Sequence, residues 1–404
     1  MNWEHVLSRR SEIDRRAFLG LGLGAAAAWP FLGFAGRAEA VEKRYRLREL
    51  GITIGGLQTG PLNAITDVAG VKVGHVTLIA GDGPLVVGEG PVRTGVTAIL
   101  PHDDDPSRAP VFAAEFTLNG NGELTGAGFI RRTGLLAAPV LFTNTSSVGA
   151  TYAGALSWML ERNPGLFKGR LRPEPVVGET WAAFLHDTAG RHVEPEHATA
   201  ALAAAKGGPV AEGCIGGGTG MRAYDFKAGI GTASRRVPCG EQVFTVGALV
   251  QANFGRRPQL RIDGVPVGRE IPDLTPARGK SKSMLVAIAT DAPLLPRQLH
   301  RVCKRVGLGM ARTGAISTHG SGDLVLAFAS GQRLARYGSV EERAAMLSDR
   351  WLSAIFQGVV EATEEAILNS LTMAHTMTGR DGNTIHALPL DRLVEVMQAH
   401  RRLK

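Results

Sequence analysis

The sequence predicts an α+β fold in which two β-sheets pack between layers of helices. Segments with the residue pattern of strands alternate with helical segments, and no change in composition marks a linker between them. Several adjacent strands can pair in antiparallel fashion, which favours two packed sheets. The chain has 404 residues, 44% of them hydrophobic and 20% charged, which suffices for a large core in one or two domains.

The first predicted elements are two buried strands and a helix. Residues 95–101 and 138–147 are apolar runs bounded by Gly, Pro or Ser, as expected of buried strands. Residues 148–163 have helical spacing, and either Ser146 or Ser147 can cap the helix at its N-terminus.

The remaining elements follow from the same criteria. The glycine-dense stretch 212–236 predicts a loop region, and residues 262–268 predict a short hairpin. The other strands are apolar runs next to glycine or polar residues, at 242–255, 283–289 and 320–330. The other helices are predicted at 194–206 on the surface, from Pro296 to Gly309 or Gly314, at 351–375, and near the C-terminus after a loop and a strand.

The N-terminal segment has the features of an export signal and is not expected to be part of the folded domain. Arg15 and Arg16 form a twin-arginine pair, and a Gly- and Ala-rich apolar stretch, 17–35, follows it. Residues 38–40 form an A-x-A cleavage site, so residues 1–40 are predicted to be removed, leaving a periplasmic or secreted chain that begins near Val41. The alternative is an uncleaved membrane anchor.

Charge and motifs exclude several classes of function. The net charge is +8, but the basic residues are scattered without aromatic neighbours, so we expect no nucleic-acid partner. The three cysteines show no C-x-x-C spacing, which argues against a zinc site, although one pair could form a disulfide. H-E-x-x-H and P-loop motifs are absent, and we expect neither a metal nor a cofactor.

Four places at strand ends carry polar residues beside glycine, where a strand can hold a side chain rigidly. They contain Lys227, Asn253, Ser283, and the pair Ser321 and Asp323. Each also has an ordinary explanation: a surface lysine, a turn asparagine, a serine that opens a strand, and a polar turn. From these patterns alone, the chain is an exported α/β protein and an enzyme of undefined chemistry.

A set of long motifs in a fixed order carries further information. The motifs are ITDVAGVKVGHVTL, TNTSSVGATY, EGCIGGGTGM…KAGIGTASR, VGALVQANFG, SMLVAIATDAPLLPRQL, RTGAISTHGSGDLVLAF and TMTGRDGNTIHALP. Together they resemble the P1 family of peptidases, which comprises L-aminopeptidase/D-alanine esterase-amidases, β-peptidyl aminopeptidases and nylon-oligomer hydrolases. The likeness runs from about residue 47 to about residue 400.

The resemblance implies an αββα four-layer sandwich made as an inactive precursor. Members of the family cut themselves once, and the new N-terminal Ser or Thr is the nucleophile. That position matches Ser283, with Ser281 as a rival two residues further from the apolar run. The expected products are an α chain, 41–282, and a β chain, 283–404, assembled as a homotetramer of αβ heterodimers.

The resemblance also assigns roles to other residues. Ser321 and Asp323 match a polar residue and an acid that orient the nucleophile, and Asn253 matches the oxyanion-binding Asn. Lys227 matches a Lys after the glycine-rich loop, which could act through its field or hold the Asp. Tyr152 matches a family Tyr after the TNTxSVG motif.

The physical chemistry of this arrangement is consistent. A serine hydroxyl is a poor nucleophile without an adjacent base. The cleavage frees an α-amine with a reference pKa of about 7.7–8.0, close to working pH, so nucleophile and base belong to one residue. The predicted reaction releases N-terminal residues from short peptides or from amino-acid amides and esters through an acyl-enzyme.

Two points stay open in the sequence. Relatives usually carry Gly or Asn before the nucleophile, whereas this chain has Lys282; we expect cleavage, but its rate and completeness stay open. The substrate's amino group needs an anion, for which Glu123 is a candidate, although it could equally be a surface loop residue. The rival functions are an N-acetyltransferase of the same architecture and a non-catalytic periplasmic binding protein.

Overall fold

This computed structural model describes residues 43–168, 172–276, 283–334 and 343–403, and in those ranges two large β-sheets, two short two-stranded sheets and the helices outside them make up the fold. The strands are β1 (Lys72–Ala80), β2 (Val92–Leu100), β3 (Val111–Gly120), β4 (Leu135–Leu136), β5 (Val140–Asn144), β6 (Val176–Thr180), β7 (Arg222–Ala223), β8 (Phe226–Lys227), β9 (Ile230–Cys239), β10 (Gln242–Asn253), β11 (Ser283–Thr290), β12 (Gly322–Ala329), β13 (Met377–Thr378) and β14 (Thr384–Ile385). The helices are α1 (Ala127–Thr133), α2 (Val148–Arg162), α3 (Pro195–Ala203), α4 (Val267–Glu270), α5 (Pro296–Arg312), α6 (Leu352–Thr372) and α7 (Leu390–Ala399). The predicted export signal, Ser281 and Lys282 lie outside the described residues.

The two large sheets are mixed. One has the strand order β1-β2-β5-β6, and the other has the order β4-β3-β12-β11-β10-β9. In the larger sheet, β11 lies centrally, antiparallel to β10 and parallel to β12. Because β11 and β12 follow the predicted cleavage point and β3, β9 and β10 precede it, the two predicted chains share one sheet.

Strand β11 shows why the sheets are stacked inside the molecule. All eight of its residues are buried, as expected of a strand covered on both faces. Val286 belongs to the hydrophobic cluster that also contains α5 and α6 residues, whereas Leu285 belongs to a cluster shared with strands of the smaller sheet. The alternation places helices on one face of β11 and the second sheet on the other.

The outer helices complete four layers. Leu299, Val302 and Val306 of α5 have helical spacing and pack with the α6 residues against the larger sheet. On the opposite side, Trp158 of α2 and Leu202 of α3 pack against the smaller sheet. The order is therefore helices, sheet, sheet, helices, which confirms the predicted αββα sandwich.

Most predicted elements are found, but the glycine-dense stretch 212–236 is not simply a loop. It contains β7, β8 and the start of the ten-residue strand β9. Glycine allows α6 to approach this strand closely, because a Cβ on Gly231 would lie only 1.9 Å from the Ala366 carbonyl oxygen of α6. Fully buried Arg235 of the same strand pairs with Glu361 and Glu365, which explains acidic residues on a helix that faces the core.

The described residues also bear on disulfides, metal sites and membrane-spanning helices. Cys214, Cys239 and Cys303 are free, so the disulfide left open by the sequence is absent from the structure. No group of three or more potential metal ligands occurs within the described ranges. Over the same ranges, every helix is too short or too polar to span a bilayer.

Candidate active site

Ser283 is the first residue of β11 and lies between the ends of two neighbouring strands. Asn253, the last residue of β10, is its partner in the antiparallel register, and Gly322, the first residue of β12, is its partner in the parallel register. Ser283 is 6% exposed. The pairing places a hydroxyl at the end of a central strand, with a neighbouring strand on each side.

The site faces the space between the two sheets. Side chains alternate along a strand, so Ser283 points to the same side as Leu285, which belongs to the inter-sheet cluster. Strand β6 of the smaller sheet crosses directly over this region, since a Cβ on Gly178 would lie 3.0 Å from the Leu285 side chain. The end of β6 therefore forms the wall opposite Ser283.

The Asn253 side chain is held at both ends. Its Oδ1 accepts a hydrogen bond from the Arg222 amide at 3.2 Å, and its Nδ2 donates to the Trp181 carbonyl oxygen at 3.0 Å. The Arg222 amide can only donate, so the orientation of the Asn253 amide follows from the network. Among the described residues the second Nδ2 hydrogen has no partner, so it can be donated to a group bound beside Ser283.

Ser321 and Asp323 form a second cluster at the start of β12. The Ser321 hydroxyl donates to Asp323 at 2.6 Å, and the Ser317 hydroxyl donates to the other carboxylate oxygen. Burial raises the pKa of Asp323, against these hydrogen bonds and one from the Met284 amide, which lower it. The Met284 amide links the carboxylate directly to the residue after the nucleophile.

Lys227 is fully buried, so its ordinary explanation as a surface lysine is wrong. Its ammonium donates to the main-chain oxygens of Met221, at 2.8 Å, and Ala228, at 2.6 Å, and also contacts Cys214. Burial lowers its pKa, while Cys214 opposes the shift. Within the described residues, its contacts lead toward Asn253 rather than to Ser283 or Asp323.

Tyr152 and Glu123 lie at the margins. Tyr152 is in α2, half-buried against the outer cluster of the smaller sheet, and burial raises its pKa. The contacts of the described residues do not join it to Ser283. The Glu123 side chain is exposed, and its main-chain amide donates to Glu179 at 3.3 Å. Both roles remain predictions.

Glu179, on β6, is a site residue that sequence reasoning missed. It is 5% exposed, and the Thr145 hydroxyl donates to its carboxylate. A Cβ on Gly122 would lie 3.0 Å from Glu179 Oε1 and 3.4 Å from the Gly322 Cα, so the carboxylate reaches toward the partner of Ser283. Burial raises its pKa, against the Thr145 hydrogen bond that lowers it. Its only signal in the sequence was an acid at the end of a buried strand.

The arrangement provides the groups that acyl transfer requires. The Ser283 hydroxyl, the Asn253 amide and the Asp323 carboxylate lie at the ends of the adjacent strands β11, β10 and β12. The Glu179 carboxylate lies near the end of β6. Preorganised donors of this kind stabilise the oxyanion of a tetrahedral intermediate. A buried carboxylate provides a position for an ammonium group.

Comparison with known proteins gives a consistent picture. The profile of peptidase family S58 matches residues 63–385. The β-peptidyl aminopeptidase BapA of Sphingosinicella microcystinivorans is 44% identical over 376 residues, which cover 89% of this chain and 93% of that protein.

Solved structures with the same fold include two well-covered relatives. The crystal structure of the PH0078 protein from Pyrococcus horikoshii OT3 superposes with a TM-score of 0.86 at 45% identity, covering 89% of this chain and 100% of that one. The L-aminopeptidase D-Ala-esterase/amidase from Ochrobactrum anthropi superposes with a TM-score of 0.84 at 39% identity, covering 89% and 99%. That enzyme is described as a prototype for the serine aminopeptidases and as a new variant of the Ntn hydrolase fold.

Proposed function

The chain belongs to peptidase family S58, and from this premise we propose that Ser283 is its nucleophile, released by self-cleavage of the Lys282–Ser283 bond. Membership confirms the resemblance read from the motifs and makes the chain an aminopeptidase of the serine Ntn type. The observation that carries the assignment of Ser283 is its position between Asn253 and Gly322 at the start of the central strand. The proposed products are chains 41–282 and 283–404.

The free α-amine of Ser283 acts as the general base. It takes the proton of the Ser283 hydroxyl as the oxygen attacks the substrate carbonyl, forming a C–O bond and an oxyanion. Asn253 Nδ2 donates a hydrogen bond to this oxyanion. When the intermediate collapses, the scissile C–N or C–O bond breaks and the leaving group takes the proton back. Water, deprotonated by the same amine, then hydrolyses the acyl-enzyme.

Asp323 keeps this pair in place. Hydroxyls of Ser317 and Ser321 fix its carboxylate, and the Met284 amide joins it to β11. A carboxylate at this position stabilises the α-ammonium that forms while the proton is held. In the precursor the nitrogen of Ser283 is an amide and cannot act as a base, so the Asp323 carboxylate takes the hydroxyl proton as the oxygen attacks the carbonyl of residue 282. The C–N bond between residues 282 and 283 then breaks, its nitrogen takes that proton and becomes the α-amine, and water hydrolyses the resulting ester.

Glu179 is proposed as the anchor for the substrate's ammonium group. Burial raises the pKa of Glu179, which favours the neutral acid. A bound ammonium group favours the charged carboxylate and so opposes this effect. Glu123, whose side chain is exposed, would assist from the rim. This geometry favours short substrates with a free amino terminus, as peptides, amides or esters, in agreement with the names of the relatives.

We also propose export and assembly as the sequence predicts them. The twin-arginine signal would carry the chain to the periplasm or beyond, and four αβ heterodimers would associate. Cell fractionation of the wild type and of a variant with Arg15 and Arg16 replaced by Lys tests export, and light scattering tests the tetramer. Export of the double-Lys variant at the wild-type level would argue against the signal.

The nucleophile is tested by paired serine variants. Ser283→Ala should give a single full-length band on a denaturing gel and should not hydrolyse an amino-acid p-nitroanilide. Ser281→Ala, the control for the rival position, should cleave and turn over like the wild type. The opposite result would assign the nucleophile to Ser281. An N-acetylated p-nitroanilide should not be hydrolysed by any variant, because it lacks the ammonium group.

A further inference from the structure

Lys227 is a buried cation to which the proposed mechanism assigns no role. It is among the largest fully buried side chains of the described structure, and the contacts of the described residues give its ammonium no carboxylate. A buried charge without an opposite charge is costly, so its retention calls for a specific use. Its partners are two carbonyl oxygens and Cys214.

One of those carbonyls belongs to the peptide group that holds Asn253. The Met221 carbonyl accepts the Lys227 ammonium at 2.8 Å, and the N–H of the same peptide, that of Arg222, donates to Asn253 Oδ1 at 3.2 Å. A peptide group is planar, so fixing its carbonyl also fixes the direction of its N–H. The Lys227 ammonium and the Asn253 amide are therefore joined through one rigid unit.

The turn between β7 and β8 brings this connection about. Tyr224 and Asp225, which link the two strands, have φ angles of 53° and 61°, in the left-handed region that non-glycine residues rarely adopt. The tight turn makes Lys227 the cross-strand partner of Arg222. Such strain persists where the surrounding structure imposes it, and it is typical of functional sites.

The ammonium also affects the strength of the second hydrogen bond. A cation on a carbonyl oxygen polarises the amide and makes its N–H a better donor. The bond from Arg222 to Asn253, at 3.2 Å, lies at the long end of the normal range. Without the ammonium, the Asn253 amide would turn more freely and its Nδ2 would lose a fixed direction.

We propose that Lys227 is a positioning residue that orients the oxyanion donor Asn253 through the Met221–Arg222 peptide. The inference rests on the proposed role of Asn253 in the mechanism. It assigns Lys227 neither a contact with the nucleophile nor one with Asp323. Cys214 acts as a third, weaker partner that completes the ammonium's hydrogen bonds.

The test compares binding of a transition-state analogue with binding of product. In Lys227→Met, kcat per cleaved chain should fall about 10- to 100-fold with KM little changed, since small misplacements of catalytic groups cost that much. The Ki of an amino-acid aldehyde, whose adduct with Ser283 places an oxyanion on Asn253, should rise by a similar factor. The Ki of the released amino acid should stay unchanged.

Two further variants separate positioning from folding. Phe226→Leu removes packing from the same short strand, where the ring lies under Arg257, and should lower the melting temperature without changing the ratio of the two Ki values. Lys227→Gln can still donate to Met221 and should recover part of the aldehyde affinity. It also serves as the working variant if Lys227→Met does not fold.

The outcomes distinguish this inference from the proposed function. Equal losses of aldehyde and product affinity in Lys227→Met, or wild-type kinetics, would overturn the positioning role. A wild-type protein that never exposes an N-terminal Ser283 would instead contradict the proposed function itself. A crystal structure of Lys227→Met should show the Asn253 amide displaced from Arg222; an unmoved amide would also overturn the inference.

Discussion

Replacing Asn253 with Ala should remove the oxyanion donor while leaving Ser283 and its amine in place. The side chain is 2% exposed and bridges the Arg222 amide and the Trp181 carbonyl. The substitution therefore has two separable effects, on the transition state and on the folded protein.

The magnitudes follow from the structure. Loss of one oxyanion donor typically lowers kcat by about 100- to 1,000-fold, with KM little affected because the oxyanion exists only in the transition state. The same donor serves self-cleavage, so conversion of the precursor should slow as well. Stability should fall by about 1–3 kcal/mol for each buried partner left without a hydrogen bond.

The assay is initial-rate hydrolysis of an amino-acid p-nitroanilide, normalised to the fraction of cleaved chain determined by mass spectrometry. Asn369→Ala is the matched control, since this fully buried Asn also bridges two main-chain groups, of Leu47 and Thr232, but lies on α6 away from the site. It should lose stability and keep its kcat. An Asn253→Ala enzyme with a kcat within threefold of the wild type would refute the reasoning.

Three further predictions concern titrating groups. Glu179→Gln should lower kcat/KM about 10- to 100-fold, mainly through KM, as expected for loss of a charge-assisted hydrogen bond, whereas Glu123→Gln should change it little. Burial raises the pKa of Glu179, so the wild type should lose ammonium binding at a higher pH than it would with an ordinary glutamate at this position. This loss should appear as an acid limb in stopped-flow or steady-state pH profiles of the wild type, and the profiles of Glu179→Gln should lack it. Ser317→Ala removes a donor to Asp323, so the pKa of Asp323 should rise further and the acid limb of kcat should move to higher pH; an unmoved limb would exclude Asp323 as its origin. Burial lowers the pKa of Lys227, so the alkaline limb of kcat should begin below the range of an ordinary lysine and be absent from Lys227→Met.

The fold was largely predictable where hydrophobic pattern determines structure. The run from Met284 to Ala289 is buried on both faces, and that pattern correctly places Ser283 at the strand's first residue. Strand β9 was missed because its identity depends on distant partners. Arg235 is polar by sequence but buried against α6, and Gly231 permits the close approach of that helix.

The site was predictable only in part, because some of its residues come from distant parts of the chain. The strand-end positions of Asn253 and Ser283 can be inferred locally, and the register then brings them together. Glu179 comes from the other sheet, and Ser317 from a loop whose course the sequence does not define. The partners of Lys227 depend on a tight turn with two left-handed residues, one of them Tyr224, a residue type that rarely adopts this conformation.

Intact mass measurement with N-terminal sequencing of the purified wild type tests directly where the chain is cut, on which the proposed nucleophile depends. Two chains are predicted, and the smaller one should begin Ser-Met-Leu-Val at residue 283 in every active preparation. A fully active enzyme that consists of one uncut chain, or whose second chain begins at another residue, would contradict the central claim.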